Sequence, residues 1–237
     1  MGESALPGAP VRRFRVASMP PTGQTLSLDG ATAHHLATVL RARPGERVVL
    51  FDGSGTQAVS ELKALSDGSA VLEVVGAHEP ARQKEALHLL LALTKGPAMD
   101  TAVRMATEAG VTHLHPVLTA RSVPRGERTD RWERIAASSA QQCGRADIPA
   151  MTQVLTLADA LAALPPGLDA RIAMPGAPAA AAAIGPAAVL IGPEGGFAPH
   201  EVTAALAAGF TPMGLGRWTF RVDTAVAVAV AMTAGLS

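Results

Sequence analysis

Residues 187–199 read AAVLIGPEGGFAP. Strand-forming Val189, Leu190 and Ile191 run abruptly into Gly192-Pro193-Glu194-Gly195-Gly196, and an amphipathic stretch follows from His200. The order is strand, glycine loop, helix start. Glycines there permit positive φ and leave no Cβ atoms in the way, so a flat ligand can lie on the backbone and bond to its amides. The carboxyl end of a buried strand is also where open α/β sheets bind their ligands. A plain strand-to-helix turn without any ligand satisfies the same pentapeptide. No Gly-Lys-Ser/Thr follows, which excludes a P-loop, and the spacing does not fit GxGxxG.

A second stretch with chemical content is LGRWTFRVDTAVA, residues 215–227. Another strand end, marked by Gly214 and Gly216, leads through Arg217, Arg221, Asp223 and Thr224 into a final helical segment. Asp223 or Thr224 would cap that helix, a sufficient structural reason for both. Two arginines beside a cap suit an anionic group or a developing negative charge. Other chemistries find less support. The close histidine pairs, His34-His35 and His113-x-His115, lack cysteines or an acidic partner at ligand spacing, so no metal site is expected. There is no GxSxG elbow, and Cys143 in QQCGR, near a helix end, reads as a packed thiol. Arg12, Arg13 and Arg15 flank Phe14, with Arg41, Arg43 and Arg47 following; these form either a basic face on a small barrel or ordinary solvated charge.

The elements that must position these residues fall into two parts. From Arg12 onward the runs RRFRVA, TLSLDG, RVVLFDGSG, QAVSELKAL and SAVLEVV are short and β-like, with hairpin signals at Asp52-Gly53 and Asp67-Gly68. One helical piece, 31–41, interrupts them, and together they suggest a small β-barrel over residues 11–76 after a leader of ten residues. The polar stretch 76–85 is the expected boundary. Beyond it, over 86–237, strand-like 87–93, 112–118, 150–155, 170–174 and 187–191 alternate with helical 98–109, 129–142 and 156–163, which means a parallel α/β sheet. Residues 177–188 are a low-complexity connection, and the apolar C-terminal segment 225–236 reads as a buried helix whose Ala/Val alternation would also suit a strand.

Composition bounds the setting. With 237 residues and 48% apolar content the chain can bury a real core, and its alanine and arginine richness reads as coding bias. A net charge of zero argues against bulk attraction to nucleic acid, though not against a local arginine patch. A single cysteine fits a reducing cytoplasm. No signal peptide, myristoylation pattern or membrane span is read from the sequence.

Several pieces together resemble one family: RRF at 12–14, HHLATVLR at 34–41, LFDGSG at 50–55, KGPAMDTAVRMATEAGV at 95–111, QQCGR at 141–145, IGPEGGF at 191–197 and LGRWTFRVDTA at 215–225. In this order they resemble the RsmE group of SPOUT methyltransferases, which methylate N3 of a uridine in 16S ribosomal RNA. The resemblance implies a PUA-like β-barrel followed by an α/β domain with a C-terminal trefoil knot, and a homodimer. It implies S-adenosylmethionine as cofactor, held by Met174, Pro175, Ile191, Gly192, Pro193, Glu194, Gly195, Gly196, Leu215, Gly216, Phe220, Val222, Thr224 and Ala225. Arg221 would stabilise negative charge on the uracil oxygens, Asp223 or Glu194 would assist deprotonation or orient Arg221, and Arg12, Arg13, Arg41 and Arg43 would hold the RNA strand. Departures from the family pattern are Ala98, Gln141, Trp218, Phe220, Val222 and Asp223. They leave a second reading open: a drifted homologue that binds RNA without transferring a methyl group, or one that modifies another RNA.

Overall fold

The computed structural model describes residues 12–66, 68–80, 85–122 and 128–235. The proposed leader, Asp67 of the second hairpin signal and part of the 76–85 boundary lie outside the described residues. Two compact units emerge: Met1–Gln83 together with Gln141–Asp147, and Lys84–Ala140 together with Ile148–Ser237.

In the first unit, β1 (Arg13–Arg15), β2 (Thr25–Asp29), β3 (Arg47–Phe51), β4 (Thr56–Ser66), β5 (Ser69–Val74) and β6 (Glu79–Pro80) form one curled sheet of order β1-β3-β4-β5-β2, with β6 on β4. The period-two pattern does the work: Ala58, Ser60 and Leu62 of β4, and Ala70, Leu72 and Val74 of β5, point inward onto Phe14, Leu36 and Leu50. The Asp52-Gly53 signal produces the β3–β4 hairpin, with Asp52 Oδ1 accepting the amides of Ser54 (2.8 Å) and Thr56 (3.1 Å). The expected barrel is a half-barrel, because β1 and β2 end the strand order without pairing to each other. The helical piece, α1 (Ala31–His34), continues as a π-helical turn, His35–Val39, and Arg41 then takes a left-handed backbone with φ of 49°.

The second unit is a seven-stranded sheet in which every pairing is parallel. Its strands are β7 (Leu87–Ala92), β8 (His113–Leu118), β9 (Ala150–Met151), β10 (Leu155–Thr156), β11 (Asp169–Ala173), β12 (Ala187–Ile191) and β13 (Thr211–Met213), in the order β10-β8-β7-β12-β11-β13, with β9 on β8. The helices are α2 (Ala98–Glu108), α3 (Thr129–Cys143), α4 (Leu157–Ala162), α5 (Pro199–Ala207) and α6 (Val222–Ala234). β7 and β12 are buried along their whole length. Leu89, Leu91, Val189 and Ile191 face a core that includes Val103 of α2 and Val226 of α6, while Leu90, Ala188 and Leu190 join Ala160 of α4 and Ala205 of α5. Burial on both faces is why these strands read as unbroken apolar runs.

Three expectations change. The strand expected at 150–155 is two separate two-residue strands, β9 and β10, with polar Thr152 and Gln153 between them. Cys143 is exposed rather than packed, since α3 ends there and Gly144 turns the chain away with φ of 85°. The C-terminal segment settles as helix up to Ala234, but its N-cap is Arg221, and neither Asp223 nor Thr224 caps it; Asp223 instead accepts the first-turn amide of Thr224 at 2.8 Å.

One polar cluster sits inside the sheet. His88 of β7 and His113 of β8 stack at 4.3 Å, and His88 Nδ1 lies 3.0 Å from Nε2 of buried His115. Burial first, and the neighbouring histidines second, push His88 down to about 4, and His115 is likewise pushed to about 4. Both are neutral in the fold near neutral pH. Their ordinary value is 6.5, so between about 6.5 and about 4 the unfolded chain takes up protons that the fold refuses. Stability is expected to be level above that window and to fall with acidification inside it, by up to ~2.7 kcal/mol per pH unit if both groups contribute fully. Urea unfolding from pH 7.5 to 4.5 measures this, and His88→Leu/His115→Leu should flatten the slope.

Candidate active site

Because the sheet is parallel, the loops after β7, β8, β11, β12 and β13 all leave from one edge, where a ligand crevice is expected. Three of them build a cavity of about 320 Å³. The loop after β12 turns at Pro193, whose carbonyl accepts the Gly196 amide at 2.8 Å, and Gly196 takes φ of +67°. Such a backbone suits glycine. Gly214, after β13, lies against the loop after β11: its amide reaches the Pro178 carbonyl at 2.8 Å, and a Cβ there would stand 1.9 Å from the Ala177 oxygen. Only glycine lets those two main chains meet.

Most of the residues proposed from the sequence line this cavity. Met174 and Pro175 come from the loop after β11, and Ile191, Gly192, Pro193, Glu194 and Gly196 from β12 and its loop. Leu215, Gly216 and Phe220 come from the loop after β13, with Val222 and Ala225 from α6. Gly195 and Thr224 do not line it: the Gly195 carbonyl turns to Arg121 Nη1 at 2.7 Å, and Thr224 is engaged with Asp223. The walls are aliphatic and aromatic apart from Glu194 and Thr219, and the glycine loops add main-chain groups. That combination fits a compact organic molecule with a flat ring, whose faces meet side chains and whose edge meets amides and carbonyls. A second, polar cavity lined by Arg128, Thr129, Asp130, Arg131, Arg134 and Gln153 lacks those walls.

Beside the cavity, Arg221 lies between the lining residues Phe220 and Val222. Its side chain is exposed and, among the described residues, makes no hydrogen bond or ion pair. Glu194 is exposed as well. No bond joins Arg221 to Asp223 or Glu194, so the orienting contact expected from the sequence is not formed.

The four arginines proposed for RNA divide into two kinds. Arg12 pairs with Glu46 and donates to the Leu40 carbonyl at 2.9 Å. Arg13 donates to Gln57 Oε1 at 2.9 Å and to the Arg145 carbonyl at 3.2 Å, with its guanidinium over the Phe51 ring. Arg41 and Arg43 are exposed and make no such contacts, and Arg41 is the only non-glycine residue with positive φ among the described residues.

Sequence reasoning missed the struts of the site. Buried Glu201 of α5 accepts the Ala198 amide through Oε2 at 2.8 Å and the Ala120 amide through Oε1 at 2.7 Å. One carboxylate thus holds the start of α5 to the loop after β8, and Arg121 on that loop holds the glycine turn. These partners lie 81 and 74 residues apart in the chain, and no local motif signals them. Trp218, Thr219, Phe197, Val202 and Ala173 also line the cavity; Trp218 stood out beforehand only as a departure from the family pattern.

Comparison with known proteins is consistent throughout. The family model of an RNA methyltransferase domain matches residues 81–234, and that of an RNA methyltransferase PUA domain matches residues 28–75. The protein named ribosomal RNA small subunit methyltransferase E from Mycobacterium bovis is 33% identical over 236 residues, covering 92% of this chain and 88% of the relative. Its namesake from Synechocystis is 32% identical over 225 residues, covering 87% and 72%. Among solved structures, the Neisseria gonorrhoeae protein of the same name, bound to S-adenosyl methionine, superposes with a TM-score of 0.85 at 29% identity, covering 93% of this chain and 95% of that one.

The double acceptor role of Glu201 is testable by itself. Glu201→Gln keeps a single acceptor oxygen and loses the charge, so it should destabilise the protein by about 1.5–3 kcal/mol. Urea unfolding should show a lower midpoint with an unchanged m-value, and an unmoved midpoint would mean that the strut carries no weight.

Proposed function

Since the chain belongs to the RsmE family of ribosomal RNA methyltransferases, we propose that it transfers a methyl group from S-adenosylmethionine to N3 of a uridine in the 16S RNA of the small ribosomal subunit. The observation that carries this reading is the apolar three-loop cavity with an unpartnered arginine, Arg221, set between two of its lining residues.

The residues present fit the cofactor. Ile191, Leu215, Phe220 and Val222 offer faces for an adenine ring, while the glycine loops bring main-chain groups to its edge. When bound, S-adenosylmethionine supplies a methyl group activated on a sulfonium. The protein's part is then to make uridine N3 a nucleophile. That nitrogen carries a proton at neutral pH, and removing it spreads negative charge over the uracil oxygens. Arg221, with no internal partner to compete, is placed to stabilise that charge. Glu194 or Asp223 takes the proton. Glu194 is exposed, whereas Asp223 already has one oxygen on the Thr224 amide.

In this reading residues 11–76 bind RNA and 86–237 carry the chemistry. Arg41 and Arg43 make the direct phosphate contacts, and Arg12 and Arg13 act while keeping the internal bonds that shape their surroundings. A homodimer is supported by α6, which is apolar from Ala225 to Met232 and leaves Ala227, Val228, Ala231 and Met232 half-buried. No helix among the described residues is long and apolar enough to cross a membrane. The proposed ribosomal RNA substrate is the reason to place the enzyme in the cytoplasm.

The test is transfer of radiolabelled methyl from S-adenosylmethionine to unmethylated small subunits, followed by nucleoside analysis. Label should appear as N3-methyluridine; cofactor binding without label would favour the drifted-homologue reading. In the same assay Arg221→Ala should lower kcat about 100-fold or more, in line with loss of one donor to a developing anion, while cofactor affinity by calorimetry stays the same. A second expectation concerns the first unit. Arg41→Ala/Arg43→Ala should weaken RNA binding and reduce the dependence of log K on log salt by up to ~1.8, two released counterions at about 0.9 each. Equal slopes in variant and wild type would remove both from the interface.

A further inference from the structure

Trp218 is the most conspicuous side chain that the proposed chemistry leaves unused. The chain has two tryptophans; Trp132 is buried at 5% exposure, whereas Trp218 is 69% exposed. An indole left in water forgoes a large gain from burial, so an exposed one on a cavity rim marks a contact surface. It lines the cavity mouth with Thr219 and Phe220, three positions before Arg221. The guanidinium of the adjacent Arg217 lies 4.5 Å from the centroid of its ring. A cation on one face polarises and steadies the indole, and a ring so exposed leaves the opposite face open.

We propose that Trp218, backed by Arg217, is the stacking platform on which the extruded target pyrimidine rests before methyl transfer. This rests on the methyltransferase reading above. A uridine in structured RNA must leave its stack to reach a cavity at the sheet edge, and the lost stacking must be replaced on the protein. Aromatic and guanidinium planes are the groups that do this for single-stranded RNA bases, and here the two occur as a pair at the cavity mouth. The cofactor's own ring is the competing occupant. It is better served by the inner walls, where Ile191 and Val222 are buried, than by a side chain this exposed. Trp218 thereby becomes a substrate-positioning residue, and Arg217 its support.

The experiment compares wild type, Trp218→Ala, Trp218→Leu and Trp218→Phe in three measurements: equilibrium binding to unmethylated small subunits, calorimetric affinity for S-adenosylmethionine, and methyl transfer. Loss of one base–aromatic stack corresponds to about 5- to 150-fold in affinity. Trp218→Ala should weaken subunit binding within that range and raise KM in parallel, with cofactor affinity within twofold of wild type. Trp218→Phe should recover most of the loss and Trp218→Leu should not, because an aliphatic side chain supplies area without a π face. The proposal is overturned if Trp218→Ala binds subunits like wild type, if Leu rescues as well as Phe, or if cofactor affinity falls with it, which would give the ring to the cofactor. Failure of the underlying reading looks different: wild type would bind subunits in a Trp218-dependent way and transfer no methyl group.

Discussion

The structure depends first on the burial of β7 and β12 at the centre of an all-parallel sheet. Parallel strands need crossover connections, and helices packed on both faces force the central strands to be apolar throughout. Chemistry is thereby excluded from the strands themselves and confined to the loops at their carboxyl edge. The glycines there follow from the same constraint. Gly214 brings two loops into main-chain contact, which leaves room for a compact cavity between them and lets backbone polar groups face a ligand. Loops alone would be too mobile for positioning, and the rigidity comes from behind: Glu201 and Arg121 bind backbone atoms, so they fix the shape of the rim without entering the cavity.

Much of this was legible in the sequence, for physical reasons that differ by element. The runs Leu87–Ala92 and Ala187–Ile191 stand out because double-sided burial removes polar residues altogether. Alternation in β4 and β5 shows a sheet with one buried face. The cavity was legible because glycine, proline and a strand end coincide at 191–196. What failed to show is long-range. Glu201 looks like any first-turn acidic residue, and nothing within a few positions of it reveals that Ala120 is its partner. The breaking of 150–155 into two short strands hung on sheet register, which a local pattern does not carry. Cys143 was misjudged because composition favours burying thiols, while the chain turns at Gly144 and leaves this one outside.

Arginines illustrate why residue type and spacing underdetermine role. Arg12 and Arg13 sit in the motif that first suggested a basic face, yet both spend donors on internal carbonyls and side chains. Arg171 is buried on Asp169 and the Ala181 carbonyl. An arginine with internal acceptors is also a structural cross-link: Arg12 and Arg171 face carboxylates, whereas the acceptors of Arg13 are neutral. Among the described residues, the side chains of Arg41, Arg43 and Arg221 have none. Arg41 is moreover held in a backbone region that costs a non-glycine residue about 1–3 kcal/mol, next to a π-helical turn of the kind that recurs at functional sites. Of the three, Arg41 alone combines an exposed guanidinium with a strained backbone.

The same distinction bears on the two carboxylates near the cavity. The short side chain of Asp223 stays close enough to its own backbone to take the next amide, Thr224, at 2.8 Å. A carboxylate so placed stabilises the positive end of α6. Glu194, in a glycine turn whose shape is kept by Arg121, carries no such bond and has the longer reach. The glycine loop thus forms one wall of the cavity and carries an exposed carboxylate, while Asp223 is tied to the first turn of the helix that follows Arg221.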